Sequence, residues 1–200
     1  MTRLIAGVAG SLRLEVPKAG TRPTSDRVRE AVFSTLESWD LIRGSRVLDL
    51  FAGSGALGLE AASRGAASVT LVEKHPQAAQ VAGRNARIVA SAFDRQSAGS
   101  GPLVEVVRQS AQTYLEHADP DARFDIVLID PPYDFGETEL AACLAALAPL
   151  LAEGAAVMVE RSSRSPEPTW PEGLSLIRHK RYGETVLWWS EPANTETTAG

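Results

Sequence analysis

From residue 46 onward, short apolar runs alternate with segments of helical periodicity, and no other feature of the chain constrains its fold as strongly. The runs are RVLDLF (46–51), SVTLVE (68–73), LVEVVR (103–108), FDIVLID (124–130) and AAVMVE (155–160). All but the last lead through a turn into a helix-compatible stretch. A strand that returns parallel to its predecessor needs such a crossover, so the pattern predicts a doubly wound α/β domain: a mostly parallel sheet with helices on both faces. After residue 160 the rhythm changes. LSLIRHKRY (174–182) and ETVLWWS (184–190) flank Gly183 and predict two antiparallel strands in a tight hairpin, which brings the sheet to seven strands. A parallel core that closes with a hairpin differs from the usual dinucleotide-binding fold.

Three segments follow from composition and punctuation. Residues 1–22 contain short apolar runs broken by glycine and carry Arg3, Arg13, Lys18 and Arg22 against a single acid, Glu15, which predicts a basic β extension. Residues 23–190 form the main domain. It opens with a helix: Pro23 disfavours helix at Arg22, Thr24 or Ser25 can cap, Asp26 suits the positive helix end, and Val28, Val32, Phe33 and Leu36 form an apolar stripe. SAFDRQSAGSGP (91–102) reads as a polar loop and residues 191–200 as a disordered tail. With 200 residues, 44% of them hydrophobic, one sizeable core is the expectation. The single cysteine, Cys143, sits among alanines and leucines and reads as a buried structural thiol. No apolar run approaches the roughly 20 residues of a membrane span, and no secretory signal opens the chain, so a cytoplasmic location is expected. The formal net charge of −5 argues mildly against a nucleic-acid partner, but a second basic cluster, Arg178 to Arg181, makes the distribution more informative than the sum.

The first apolar run of the sheet enters VLDLFAGSGALGLEAASRGA, a G-x-G-x-x-G at Gly53, Gly55 and Gly58. Glycines at a strand-to-helix turn let a ligand approach the backbone, and the helix that follows offers a positive end to phosphate. Asp49, four residues ahead of Gly53, works against phosphate: a carboxylate at the mouth of the loop repels an anion and suits a cationic ammonium or sulfonium. S-adenosylmethionine therefore fits better than a nicotinamide dinucleotide. Asp49 and the loop, Phe51, Ala52, Gly53, Ser54, Gly55 and Gly58, are the candidates for its methionine end. Glu73 closes the second strand where a carboxylate accepts from ribose hydroxyls, and Lys74 follows it beside the adenosine.

The fourth run ends in Asp130, Pro131, Pro132 and Tyr133. Two prolines fix φ and remove both backbone donors, leaving carbonyls that can only accept. The Asp130 carboxylate and the Pro131 carbonyl then make an acceptor pair for an amino group with two hydrogens, and Tyr133 offers an aromatic face to a planar base. Such a site would aim the amine lone pair at a methyl donor, with no metal and no covalent intermediate.

TRPTSDRVREAVF, the glycine-loop segment, VEK (72–74) and DIVLIDPPY together resemble the bacterial 16S rRNA guanine-N2 methyltransferases, over nearly all of residues 2–190. The resemblance implies a Rossmann-like class I methyltransferase fold, S-adenosylmethionine as methyl donor, and 16S rRNA in the assembled or partly assembled small ribosomal subunit as substrate. The expected enzyme acts as a monomer on an extruded or unpaired base, without metal or membrane. It also implies that Ser110 and Ala111 contact the adenine edge, and that Thr24, Asp26 and Arg27 border the cofactor carboxylate or the target pocket, with helix capping as their structural alternative. Arg3, Arg13, Lys18 and Arg22 are candidates for docking RNA. Adenine in DNA presents a similar amine, but the chain has no large target-recognition insertion. A nicotinamide oxidoreductase is disfavoured by Asp49 and the hairpin, and a silent RNA-binding accessory by the intact acceptor pair.

Overall fold

The computed structural model describes residues 2–17, 24–96 and 101–193. Its centre is a parallel sheet built from β3 (Arg46–Asp49), β4 (Ser68–Val72), β5 (Leu103–Val107), β6 (Phe124–Ile129) and β7 (Leu151–Ser162), extended by β8 (Leu174–Tyr182) and β9 (Thr185–Pro192). The strand order is β5-β4-β3-β6-β7-β9-β8, and β9 runs antiparallel to both neighbours. The expected hairpin turns at Gly183, whose φ of 62° favours glycine.

The chain winds outward from β3 through β4 to β5, then returns and winds the other way through β6 to β7. The order thus reverses between β3 and β6, and the carboxyl ends of strands at such a switch point flank a crevice. Alternation along β6 shows why these strands read as continuous apolar runs. Ile126 and Leu128 belong to one buried cluster with α1 (Asp26–Ser38), α2 (Ala56–Ser63) and α3 (Pro76–Gln96). Val127 and Ile129 belong to the other, with α4 (Ala111–His117) and α5 (Glu137–Leu147). The stripe Val32, Phe33 and Leu36 fixes α1 on the first face, where Trp39 meets the Trp189 ring edge-on at 5.1 Å. Cys143 is buried in the second cluster.

Two departures from the sequence reading are instructive. Residues 91–96 are not loop: α3 continues through Gln96 because Val89, Ala92 and Phe93 carry its buried stripe onward. Ser91, Asp94 and Arg95 occupy the outer face. Strand β9 runs through Pro192, so Glu191 and Pro192 of the expected tail are paired in the sheet, while residues 194–200 lie outside the described residues.

The basic N-terminal segment forms a two-stranded antiparallel ribbon, β1 (Thr2–Arg3) and β2 (Arg13–Leu14). Leu4, Ala9 and Leu14 are buried with α1, α2 and α3. Buried polar groups bind it further. Glu60 accepts from the amides of Ile5 and Ala6, and Ser63 from that of Ala9. Arg29, 1% exposed, donates to Thr2 Oγ1, to the Arg3 carbonyl and to Asp26. Among the described residues, no helix is long and apolar enough to cross a membrane.

Candidate active site

Both motifs lie at the carboxyl edge of the sheet, on either side of the switch point. On the β3 side, Gly53 and Gly55 have φ of 54° and 83°, the left-handed region open to glycine. Gly58 serves packing: a Cβ there would stand 2.4 Å from Leu71 Cδ2 and 2.9 Å from Val69 Cγ1, so a larger residue would force these buried side chains between α2 and β4 to shift. A Cβ on Gly53 would meet nothing within 4 Å, so the space over the loop is open.

Asp49 does not project at the mouth of the loop. It lies beneath, 1% exposed, with Oδ2 accepting from the Gly58 amide at 3.0 Å. The first turn of α2 carries unsatisfied amides, and a carboxylate one strand-end away is their natural acceptor. Burial pushes this carboxyl up to about 7, against the pull of the Gly58 amide, and Oδ1 is buried without a hydrogen-bond partner. Glu73 accepts from Gly53 N through Oε2 and from His75 N through Oε1, both at 2.8 Å. Ala52 N reaches the Val72 carbonyl at 3.0 Å, and Gly55 N closes onto the Ala52 carbonyl. Carboxylates and amides therefore hold the loop from below and from the side. Phe51 and Ser54 flank it half-buried, and Lys74 is exposed beside Glu73. Ser110 caps α4, accepting from Thr113 N at 3.1 Å, and Ala111 is buried behind it. Glu73 suits a ligand with hydroxyls, since each of its oxygens has a lone pair beyond its amide bond, while Asp49 acts on the loop from below.

On the β6 side, Asp130 follows the last strand residue and its Oδ2 accepts from Thr24 Oγ1 at 2.5 Å. Burial pushes Asp130 up to about 6, opposed by this bond. Pro131 is buried, Pro132 exposed, and the Pro132 carbonyl closes a turn with Phe135 N at 2.9 Å. Tyr133 rides on that turn, 95% exposed. The turn is braced from behind. Arg161 on β7, 6% exposed, donates to the Phe135 carbonyl at 2.9 Å and pairs with Glu137, while the Phe135 ring meets the Phe51 ring edge-on at 5.0 Å. One aromatic contact thus joins the two motifs.

The helix-start residues separate by role. Ser25 is the N-cap of α1, accepting from Val28 N, and this frees Thr24 to reach Asp130. Asp26 pairs with Arg29, and Arg27 is exposed. Arg3 and Arg13 line a groove of about 300 Å³ with Thr2 and Asp26, and Arg3 and Arg27 line an adjoining one of about 440 Å³. Lys18 and Arg22 lie outside the described residues.

The model of the family described as conserved hypothetical protein 95 matches residues 2–191. The chain belongs to this family. It is the family toward which TRPTSDRVREAVF, the glycine loop and DIVLIDPPY pointed. A member from Escherichia coli, "Ribosomal RNA small subunit methyltransferase D", is 37% identical over 185 residues, which cover 92% of this chain and 86% of the relative. A solved structure from Thermus thermophilus, described as a hypothetical protein, superposes with a TM-score of 0.76 at 32% identity, covering 94% of this chain and 98% of its own. The fold is that of class I methyltransferases. Magnesium protoporphyrin IX methyltransferase of Synechocystis, solved with S-adenosylmethionine, shares it at a TM-score of 0.61 and 15% identity, over 87% of each chain.

Four polar residues around the candidate site and the N-terminal ribbon escaped the sequence reading. Arg29 and Glu60 anchor the N-terminal ribbon, and Asn85, fully buried, ties Glu15 to the Ser54 carbonyl of the glycine loop. Their bonds to the ribbon and to the glycine loop span tens of residues, and no local pattern announces those. Glu160 differs. It ends AAVMVE as Glu73 ends SVTLVE, and a strand-end acid one strand from Asp130 was a visible signal.

Proposed function

We propose that the protein is an S-adenosylmethionine-dependent rRNA methyltransferase, and that it methylates the exocyclic N2 of a guanine in 16S rRNA within the assembled or partly assembled small subunit. The observation that carries this reading is the Asp130 carboxylate, held by Thr24 at the carboxyl edge of the sheet and followed directly by Pro131, whose carbonyl is the second acceptor, and by the exposed Tyr133. S-adenosylmethionine supplies an electrophilic methyl group on a sulfonium. Everything else falls to the chain. Asp49, Glu73 and the 53–58 loop, with Ser110 and Ala111 beyond, shape the donor pocket.

Guanine N2 is a weak nucleophile because its lone pair is delocalised into the ring. Asp130 and the Pro131 carbonyl accept one hydrogen each, which favours a pyramidal nitrogen and fixes the lone-pair direction. As the N–C bond forms, the nitrogen becomes cationic and must shed one proton, and Asp130 is the acceptor. A charge that appears only in the transition state is stabilised there more than in the ground state. Tyr133 stacks on the extruded base, replacing its lost neighbour. Arg3, Arg13 and Arg27 line the grooves between the N-terminal ribbon and the first turn of α1, and we assign them to RNA phosphates. Both halves of the site come from one chain, so a monomer suffices, and an rRNA substrate implies a cytoplasmic location.

The test is transfer of labelled methyl to small-subunit particles, naked 16S rRNA and duplex DNA, with the product nucleoside identified by mass spectrometry. N2-methylguanosine in 16S rRNA is expected. Label in N6-methyladenine of DNA, or none in RNA, overturns the reading.

A further inference from the structure

Strand β8 is the outer edge of the sheet, and Arg178, His179, Lys180 and Arg181 are exposed along it. The register ties this edge to the site. Ile129 pairs with Val159, so Asp130 stands level with Glu160; Glu160 pairs with Leu187, and Leu187 with Lys180. Lys180 therefore shares the row of Asp130, three strands away, which is about 14 Å at about 4.8 Å per strand. Arg181 stands one row nearer the carboxyl edge. Arg178 and Lys180 lie opposite Trp189 and Leu187 of the cluster under α1, so their side chains share the α1 face with the N-terminal ribbon. Rings, not acids, accompany these cations. The Lys180 ammonium lies 5.3 Å from the Tyr182 ring centre, and the His179 and Trp188 ring centroids are 4.6 Å apart. Arg181 donates to the Gly183 carbonyl at 2.7 Å. Among the described residues no ion pair engages Arg178, Lys180 or Arg181, whereas Arg46, Arg64 and Arg84 each pair with an acid. Charge of either sign keeps an edge strand from pairing with another chain, yet this edge is basic at four consecutive positions in a chain of net charge −5.

We propose that the β8 edge, through Arg178, Lys180 and Arg181, is a second docking surface for RNA and holds backbone phosphates of the strand that bears the target base. Guanidinium and ammonium groups free of acids take phosphate without reading sequence. At about 3.4 Å per stacked nucleotide, the span from Asp130 to Lys180 is about four nucleotides, so β8 holds the flanking strand and leaves the base itself to the crevice. The N-terminal ribbon is fastened to α2 and α3 through Glu60, Ser63 and Asn85, on the β3 side, so the two basic surfaces flank Asp130. The choice of RNA as partner rests on the proposed function.

The test measures equilibrium binding of naked 16S rRNA and of small-subunit particles against salt concentration. Three proteins are compared: the native chain, the combined variant Arg178→Gln, Lys180→Gln, Arg181→Gln, and a control that removes equal charge from exposed positions toward the amino edge of the sheet, Arg43→Gln, Arg95→Gln, Arg123→Gln. The β8 variant should flatten the slope of log affinity against log salt by about 2–3, at about 0.7–0.9 per phosphate contact, with S-adenosylmethionine affinity unchanged. The control should keep the native slope. A slope unmoved in the β8 variant, or flattened equally in the control, overturns the proposal. Loss confined to the particles, with naked rRNA bound as by the native chain, would put a ribosomal protein on β8 and overturns it as well. The pair Arg178→Gln, Lys180→Gln keeps the Arg181 bond to the Gly183 turn, so a folding defect cannot account for its expected flattening of about 1.4–1.8. Because binding is read without methyl transfer, an unmoved slope leaves the product mapping standing, and a failed product mapping leaves the slope standing.

Discussion

The two halves of the crevice handle buried charge differently. Around the glycine loop, Glu73 spends both carboxylate oxygens on backbone amides, and Asp49 spends one on Gly58. Carboxylate and loop lock each other, and the fold is stiff there before any ligand arrives. Around D-P-P-Y, Asp130 has a single hydroxyl donor, Glu160 keeps a buried oxygen unpaired, and Tyr133 stands in solvent. Carboxylates held by the backbone amides of their own loop serve that loop, whereas Asp130, bonded to a side-chain hydroxyl beside an exposed aromatic ring, is placed to accept from a substrate. The proposed function gives donor binding to the first half and acceptor chemistry to the second.

Asp130→Ala is the largest expected break in the contrast. It should lower single-turnover methyl transfer about 100- to 1,000-fold, the usual effect of removing one preorganised transition-state partner, without unfolding the chain. Quench-flow with saturating donor checks it. Gly58→Ala strikes the stiff half: its Cβ would collide with Leu71 and Val69, both buried, and should destabilise the fold by about 1–3 kcal/mol in urea denaturation. Tyr133→Ala should leave stability unchanged, since the ring contributes no buried surface, and weaken RNA binding by about 1–3 kcal/mol. A stability loss there would place the ring in the scaffold. Smallest is the effect of replacing Arg3 and Arg13 by Gln, which should flatten the slope of log affinity against log salt by about 0.7–0.9 per lost phosphate contact. An unchanged slope would make them ordinary surface.

The parallel strands and the closing hairpin were legible because burial on both faces writes itself as apolar runs. The catalytic-type motifs were legible because glycine and proline record backbone geometry directly. What stayed hidden was polar and distant. Asp49 was expected at the mouth of the loop and lies beneath it, since its partner is the first-turn amide of a helix that only the fold brings under the strand end. Arg29, Glu60 and Asn85 bond to residues 26 to 70 positions away, and sequence spacing carries no trace of such pairings. The extra turns of α3 were lost to the polar face of SAFDRQ, although Phe93 marked the buried one.

The division of labour across the switch point can be measured in one experiment, a calorimetric titration of S-adenosylmethionine into Asp130→Ala and Asp49→Ala. The expected result is native affinity in Asp130→Ala and clearly weakened affinity in Asp49→Ala, because only Asp49 underpins the loop that receives the donor. Weakened binding in Asp130→Ala alongside native binding in Asp49→Ala would contradict the assignment of the two halves.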